Sequence, residues 1–194
     1  MSVTLFDNYL PIDRYDRGEL SAQFRALAAA TSGKYSEAAL NWYVSGSQLV
    51  VRDIFWRGFP AGLRIEHDWT VHTGILLTVP AGSGYEIRFN NIYGSASGVP
   101  IIGPPRVESD LLEQTLVALL PETAYWKLAL AREPFAVTLA KERLTLAVYR
   151  FYPYQFYLDA LDYLSELATR LENAANQPLP VKAAVCPASL PWTK

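Results

Sequence analysis

The stretch PFAVTLAKERLTLAV, residues 134–148, decides the fold because its pattern is that of two β-strands joined by a tight turn. If the turn centres on Lys141 and Glu142, every second residue of one strand faces an apolar residue of the other. When two paired strands both carry apolar residues on the same face, burial of that face strongly specifies their register. The stretch therefore predicts an antiparallel hairpin with a buried face, and its facing pairs are Leu139–Leu144, Val137–Leu146 and Phe135–Val148.

Alternating apolar residues upstream of this hairpin predict five more strands, joined as further hairpins. In the first of these hairpins Val44 is expected to face Leu49. In the last, Leu76 is expected to face Phe89 across the glycine-rich turn AGSG. Between them the segment RGFPAG, residues 57–62, carries two glycines and a proline and is expected to interrupt the strand pattern.

The segment HTGILLTVP, residues 72–80, is apolar on both faces, because Leu76 points to one side and Ile75 and Leu77 to the other. A strand of that composition is typically buried on both faces. We therefore expect it to be central in the sheet, with its second face at least partly covered.

A helix is predicted at the N-terminal side of the sheet. Asp16 followed by Glu19 resembles a capping box, which starts a helix that reaches about Thr31. Gly33 is well placed to end this helix as the left-handed residue after its last turn.

Further helices are predicted in the second half of the chain. The segment 109–120 is expected to be helical with Ser109 as its cap, and a second helix is expected to begin at Pro121. Apolar residues at spacings of three and four predict a long amphipathic helix over 153–176. The Gly/Pro-rich segment 94–105 is expected to be a long loop.

This order of elements predicts an α+β fold, in which N-terminal, middle and C-terminal helices pack on an antiparallel sheet built from hairpins. A length of 194 residues suits a single domain. We assign that domain to residues 1–176 and treat residues 177–194, which carry four prolines, as a C-terminal tail.

Composition and charge exclude several classes of protein. Lys and Arg together number 17 against 19 acidic residues, and the basic residues form no run, so nucleic acid is not a predicted partner. The single cysteine gives no argument for an oxidising compartment. The sequence has neither the pattern of a signal peptide nor a run of roughly eighteen apolar residues. We therefore expect a cytoplasmic protein with no membrane partner.

The stretch EHDWTVH, residues 66–72, carries the residue types typical of metal or acid–base sites. Its histidines, His67 and His72, are expected to face each other at a hairpin end, and two histidines with a carboxylate can bind zinc. Glu66, however, points to the opposite face from His67, and Asp68 lies in the turn. A metal or acid–base site and a polar hairpin end remain competing interpretations, and neither a metal nor a cofactor is predicted.

Two arginines extend this candidate site. Arg64 and Arg88 are expected, with Glu86, on the same sheet face as Ile75 and Leu77. Such a group is either an anion-binding patch or a rim of exposed ion pairs, which are common and weak. Together with the histidine pair, these arginines define the alternative function: a pocket for a small ligand or metal ion, or the site of a hydrolase.

Sequence motifs of known catalytic classes are absent. There is no phosphate-binding P-loop, no dinucleotide-binding glycine pattern after a strand, no nucleophile elbow, no zinc-protease motif and no pair of closely spaced cysteines. The sequence therefore favours a protein that is not an enzyme, and no catalytic residue is named.

The run YRFYPYQFY, residues 149–157, holds six aromatic rings in nine positions. Strand and helix periodicities account for four of the rings. One interpretation is a strand-to-helix joint packed by large side chains. The other is a binding edge at the joint, formed by Tyr149, Phe151, Tyr152 and Phe156.

Apolar residues without an evident place in the core indicate a partner. They include Ile101 and Ile102 in the predicted loop, the strand that is apolar on both faces, and the aromatic joint. The leading hypothesis is therefore a non-enzymatic protein-interaction module, chaperone- or adaptor-like, that associates with another protein or with itself.

The element order over residues 16–175 resembles that of the small acidic bacterial chaperones of type III secretion, which have a helix, three strands, a helix, two strands and a helix. The resemblance implies a bacterial homodimer that binds an extended protein segment, and it carries over no site residue. Extra strands, a long Gly/Pro segment and the C-terminal tail depart from that pattern, which leaves the partner class and the dimer geometry open.

Overall fold

The computed structural model describes residues 4–12, 16–37, 49–65, 70–77, 86–93, 101–109, 128, 131–140 and 142–175. Within these ranges eight strands form one antiparallel sheet, and two helices pack on it. The fold class is α+β, as the sequence predicts. The proposed tail, residues 177–194, lies outside the described residues. So does most of the region assigned to middle helices, where the structure describes Ser109, the buried, helical Leu128 and the buried Ala131.

The sheet follows an order that differs from the order along the chain: β1-β2-β3-β4-β8-β7-β5-β6. The helices are α1 Arg17–Thr31 and α2 Tyr154–Ala175. The strands are β1 Lys34–Glu37, β2 Leu49–Trp56, β3 Phe59–Ile65, β4 Val71–Leu76, β5 Glu86–Tyr93, β6 Ile101–Ser109, β7 Phe135–Ala140 and β8 Arg143–Val148.

The hairpin predicted from residues 134–148 is present as β7 and β8 with the predicted register. Leu139 lies opposite Leu144, and Phe135 lies opposite Val148. All four of these side chains are buried. The agreement follows from the turn, which is short enough for local pattern alone to fix the pairing.

The predicted pairing of Leu76 with Phe89 is wrong. Leu76 lies opposite Arg143 in β8, and Phe89 lies opposite Val137 in β7. The β7–β8 hairpin is therefore inserted between β4 and β5, which follow each other along the chain. The segment 72–80 was expected to be central, and β4 does occupy the fourth position of eight in the sheet.

The hairpins at the start of the sheet also differ from their predicted form. Leu49 lies opposite Glu37 of β1, and its predicted partner Val44 lies outside the described residues. The segment 57–62 does not interrupt the strands, because β2 and β3 are joined directly by Arg57 and Gly58. Their φ angles are 47° and 94°, and positive φ at both central residues is what a two-residue type I′ turn requires.

Helix α1 begins at its predicted cap. The Asp16 carboxylate accepts a hydrogen bond from the amide of Glu19 at 2.9 Å. The left-handed residue at the C-terminal end is Ser32, with φ 54°, and not Gly33. A Cβ at Gly33 would lie 2.9 Å from Ile54, so the glycine is needed for the close approach of the chain to β2.

The core lies between one face of the sheet and the two helices. Helix α1 packs on β1 and β2, helix α2 packs on β4 and β8, and the helices contact each other. The predicted long helix is confirmed over Tyr154–Ala175. Its apolar stripe is buried and includes Tyr157, Leu161, Leu164, Ala168 and Leu171.

The aromatic joint belongs to this core. Phe151, Tyr152 and Phe156 are each at most 2% exposed, so the binding edge predicted there is wrong for three of its four residues. The ring of Phe156 stacks on Tyr152 with centroids 4.3 Å apart and lies 5.4 Å from Phe6 of the N-terminal segment. Burial of large rings at a strand-to-helix junction explains the density of aromatic residues.

The segment 94–105 is not a loop throughout, because β6 already starts at Ile101 and continues through Pro104 and Pro105 to Ser109. Ser109 is therefore the end of a strand and not a helix cap. The hydroxyl of Tyr93, the last residue of β5, donates to the carbonyl of Pro104 in β6 at 2.7 Å and so ties the proline-containing part of β6 to its neighbour.

We expect Phe156→Ala to lower the free energy of unfolding by about 3–5 kcal/mol, because it removes a fully buried ring that contacts four others. Tyr149→Ala should cost less than about 1 kcal/mol, since Tyr149 is 43% exposed. Urea denaturation of both variants measures the difference. Equal costs for the two would show that the joint is not the packed core described above.

Alkaline pH should weaken the fold. Burial raises the pKa of Tyr157 above its usual range, and burial likewise raises the pKa of Tyr152. A folded-state pKa above the unfolded value of about 10 means that this stabilisation is complete below pH about 10 and is lost as pH rises further. The free energy of unfolding, followed by urea denaturation from about pH 8 to about pH 11, should fall. The fall should be shallower in Tyr157→Phe, and an identical slope in that variant would contradict the assignment.

Candidate functional site

The second face of the sheet, opposite the helices, carries a depression over four neighbouring strands. Its floor is formed where Gly62 of β3 lies opposite Gly74 of β4. Neither residue has a side chain, so two adjacent positions of the sheet surface are open at the backbone. A glycine inside a strand costs stability and often marks the close approach of another group.

Basic residues surround this floor. The rim includes Arg52, Arg64, His72 and Arg143, and the concavity has a volume of about 330 Å³. We call this concavity the trough and define it by the two floor glycines and these four rim residues. One acidic residue, Asp53, also lines it, and its carboxylate forms an ion pair with Lys34 at 3.0 Å. The lining therefore carries an excess of positive charge.

A β-bulge forms one end of the trough. The β2–β3 register shifts between Val51 and Ile54, and Asp53 adopts a left-handed φ of 59°. An extra residue of this kind bends the strand and redirects its side chains. Arg52 and Asp53, the two residues inside this register shift, both line the trough.

Exposed apolar residues continue the trough along the same face. Phe55 lies opposite Pro60 at the end of the β2–β3 hairpin, and Leu76 ends β4. Phe55 is 69% exposed and Leu76 is 38% exposed. We call Phe55, Pro60 and Leu76 the apolar row. Pro60 and Leu76 line the trough as well, so the basic and apolar surfaces are continuous.

Helix α2 holds the hairpin that carries half of this surface. Asp162 accepts a hydrogen bond from Trp56 Nε1 at 2.7 Å and forms an ion pair with Arg57 at 2.7 Å. Both donors belong to the end of the β2–β3 hairpin. The carboxylate therefore ties the hairpin to the helix on the opposite face of the sheet and fixes the position of Phe55 beside it.

The predicted histidine pair is not a facing pair. His72 lies opposite Arg64 in β3, three positions earlier than the predicted partner His67, which lies outside the described residues. The connection between β3 and β4 is longer than the four-residue turn assumed from sequence. Among the described residues, no three His, Cys, Asp or Glu side chains are grouped so that they could hold a metal ion.

The predicted face of the arginines is also wrong. Arg64 alternates with the buried residues Leu63 and Ile65 and therefore lies on the second face, away from Ile75. Arg88 is exposed on β5 opposite Thr138, and β7 and β8 separate its strand from β4, so it does not line the trough. The structure thus brings Arg64 and His72 together and leaves Arg88 apart.

Of the interaction candidates, three remain on the surface. Ile101 and Ile102 are 58% and 43% exposed on β6, the last strand of the described sheet, and Tyr149 is 43% exposed.

The sequence analysis did not identify Arg52 and Arg143 as site residues. The feature of the sequence that could have indicated this site is the glycine within each of two neighbouring predicted strands, Gly62 and Gly74.

Neither described helix is both long and apolar enough to cross a membrane.

No protein-family model and no curated protein matches the sequence. Among solved structures, the chain is similar to the crystal structure of the mycobacterial trehalose monomycolate transport factor A, TtfA. The two are 14% identical, the match covers 84% of this chain and 99% of that chain, and the TM-score is 0.49. Similarity at this level assigns neither a family nor a function.

We expect Asp162→Ala to lower the free energy of unfolding by about 1–3 kcal/mol, because two donors lose a charged acceptor. Amide hydrogen exchange should become faster at the end of the β2–β3 hairpin. The matched control is Glu166→Ala on the same helix, which removes only an exposed ion pair with Arg170 and should cost less than about 0.5 kcal/mol. Unchanged exchange in the hairpin would show that Asp162 does not hold it.

Proposed function

We propose that this protein is a non-enzymatic interaction module that binds a segment of another protein on the second face of its sheet. The observation that carries the proposal is the apolar row, Phe55, Pro60 and Leu76, lying directly beside the basic trough. Large exposed apolar side chains next to a concave surface are typical of protein-binding sites. A surface with a basic and an apolar part can recognise a partner by both charge and shape.

The rigidity of the support favours this function. The trough lies on β2, β3, β4 and β8, which are hydrogen-bonded neighbours in the sheet and are packed underneath by α1 and α2. The floor of the trough is formed by backbone, and the end of the β2–β3 hairpin is held by the hydrogen bond from Trp56 to Asp162. A surface that is already ordered loses little conformational entropy when a partner binds.

Catalysis has weaker support. The alternative hypothesis, a ligand site or hydrolase at His67, His72 and Arg88, needed those side chains to converge. Of the two that the structure describes, His72 lines the trough and Arg88 does not. The neighbours of His72 there are arginines, which serve binding and charge stabilisation but are poor general bases. A small anionic molecule remains the competing occupant of the same concavity.

A second surface supports self-association. Ile101 and Ile102 are exposed on β6, at the opposite end of the described sheet from β2. Apolar residues on a terminal strand are suited to contact with a second copy of the chain. In this arrangement the partner segment and the second copy use different surfaces.

The test compares two matched double variants: Phe55→Gln with Leu76→Gln, and Ile101→Gln with Ile102→Gln. All four side chains are at least 38% exposed, so both variants should fold. Native mass spectrometry on protein purified gently from its own host reads partners and oligomeric state together. The first variant should lose a co-purifying protein that wild type retains, and the second should lose only self-association.

Circular dichroism and the unfolding midpoint of each variant serve as the control for folding. If the Phe55 and Leu76 variant keeps its fold and still retains every partner of wild type, the second face is not the binding surface. If the wild-type protein carries a small molecule and no protein, the competing occupant is correct.

A further inference from the structure

We infer that the bound segment is extended and acidic, and that it places an acidic side chain over the trough and an apolar side chain two positions away on the apolar row. This inference rests on the proposed function and adds the chemistry of the partner. Charge, spacing and the neutrality of the floor each support it.

The positive charge of the trough favours an acidic residue in the bound segment. Arg52, Arg64 and Arg143 line one concavity, and among the described lining residues the acidic one is Asp53, which pairs with Lys34. A guanidinium binds a carboxylate, and equally a phosphate, through two parallel hydrogen bonds, so the arginines favour an anionic group in this space. A basic segment entering the same space would meet three like charges.

The floor of the trough leaves room for that carboxylate. A Cβ at Gly74 would lie 3.4 Å from Thr145 Oγ1 and 3.9 Å from Cδ of Arg143. The space above the glycine is therefore bordered by a hydroxyl and by the stem of an arginine side chain. A carboxylate there has a neutral donor beside it and guanidinium groups around it.

The spacing follows from the strands themselves. Leu76 is two residues beyond Gly74 in β4, and Pro60 is two residues before Gly62 in the antiparallel β3. Two residues of a strand span about 6.8 Å, and an extended segment places its own side chains i and i+2 on one face at the same distance. A segment lying along β4 thus aligns an acidic residue with the glycine floor and an apolar residue with Leu76.

The apolar row argues against nucleic acid as the occupant. Phosphate groups would satisfy the arginines, but Phe55 and Leu76 would then remain exposed to water beside them. A protein segment satisfies both parts of the surface. The charge of the whole chain, −2, also lacks the general positive field that nucleic-acid binders use.

The experiment selects peptides without presupposing their sequence. The full chain is immobilised, and a phage library of random dodecapeptides is enriched on it. The expected result is a motif with Asp or Glu two positions from Leu, Ile or Phe. An enriched peptide is then synthesised, and its affinity for each variant is measured by isothermal titration calorimetry.

Four variants separate the parts of the surface. Arg64→Gln and Arg143→Gln should each weaken the peptide by at least about tenfold, since each removes a charge-assisted hydrogen bond. Arg170→Gln is the matched control on α2, where Arg170 pairs with Glu166, and it should leave affinity unchanged. Gly74→Val fills the floor with a residue that favours strands and should abolish binding while preserving the fold.

The outcomes distinguish the inference from the proposed function. Peptides that bind in a Phe55- and Leu76-dependent manner, carry no acidic residue and are unaffected by Arg64→Gln and Arg143→Gln would overturn the inference and leave the interaction function standing. If no peptide is enriched, or none depends on Gly74, Phe55 or Leu76, both fail. Tight binding of succinate but not succinamide, with no peptide enriched, would instead assign the trough to a small dicarboxylate.

Discussion

The pairing of β8 with β4 is the interaction on which the rest of the structure depends. Strand β8 lies opposite β4, while its hairpin partner β7 lies opposite β5. The C-terminal hairpin therefore joins β1–β4 to β5–β6, which are otherwise separate halves of the sheet. Its inward residues, Leu144 and Leu146 among them, form the centre of the core beneath α2. Without this hairpin neither half would have a neighbour on its inner edge, and α2 would have no continuous surface to cover.

The same pairing creates the candidate site. Because β8 adjoins β4, Thr145 lies opposite Gly74 and Arg143 lies opposite Leu76. Two lining residues of the trough thus come from a strand about seventy to eighty positions later in the sequence than the glycines of its floor. The site is a product of the sheet order and not of any local motif, which explains why its arginines could not be recognised together in the sequence.

The sequence predicted a feature correctly when the residues that determine it lie close together along the chain. The β7–β8 register, the start of α1 at Asp16 and the long helix α2 were predicted correctly, because a short turn, a cap and a helical period are all local signals. The β4–β5 hairpin was predicted wrongly because several apolar strands offer equally good faces to one another. The face of Arg64 was predicted wrongly because β3 is shifted by three residues from its predicted register on β4, and a shift by an odd number of residues moves every side chain of a strand to the other face.

If the trough binds a partner as proposed, its glycines favour binding at the expense of stability. A glycine in the interior of a strand loses more conformational entropy on folding than other residues and contributes no side chain to the sheet surface. A Cβ at position 62 would lie 3.1 Å from the carbonyl of Val51, so at that position the bulged partner strand itself favours glycine.

Gly74 has no such restriction from the backbone, because the nearest neighbour of a Cβ there would be the hydroxyl of Thr145 at 3.4 Å. An alanine at position 74 would suit the strand better and would occupy part of the concavity. A residue that is costly for the sheet and not required by its backbone is most simply explained by the space that it leaves open between Arg64 and Arg143.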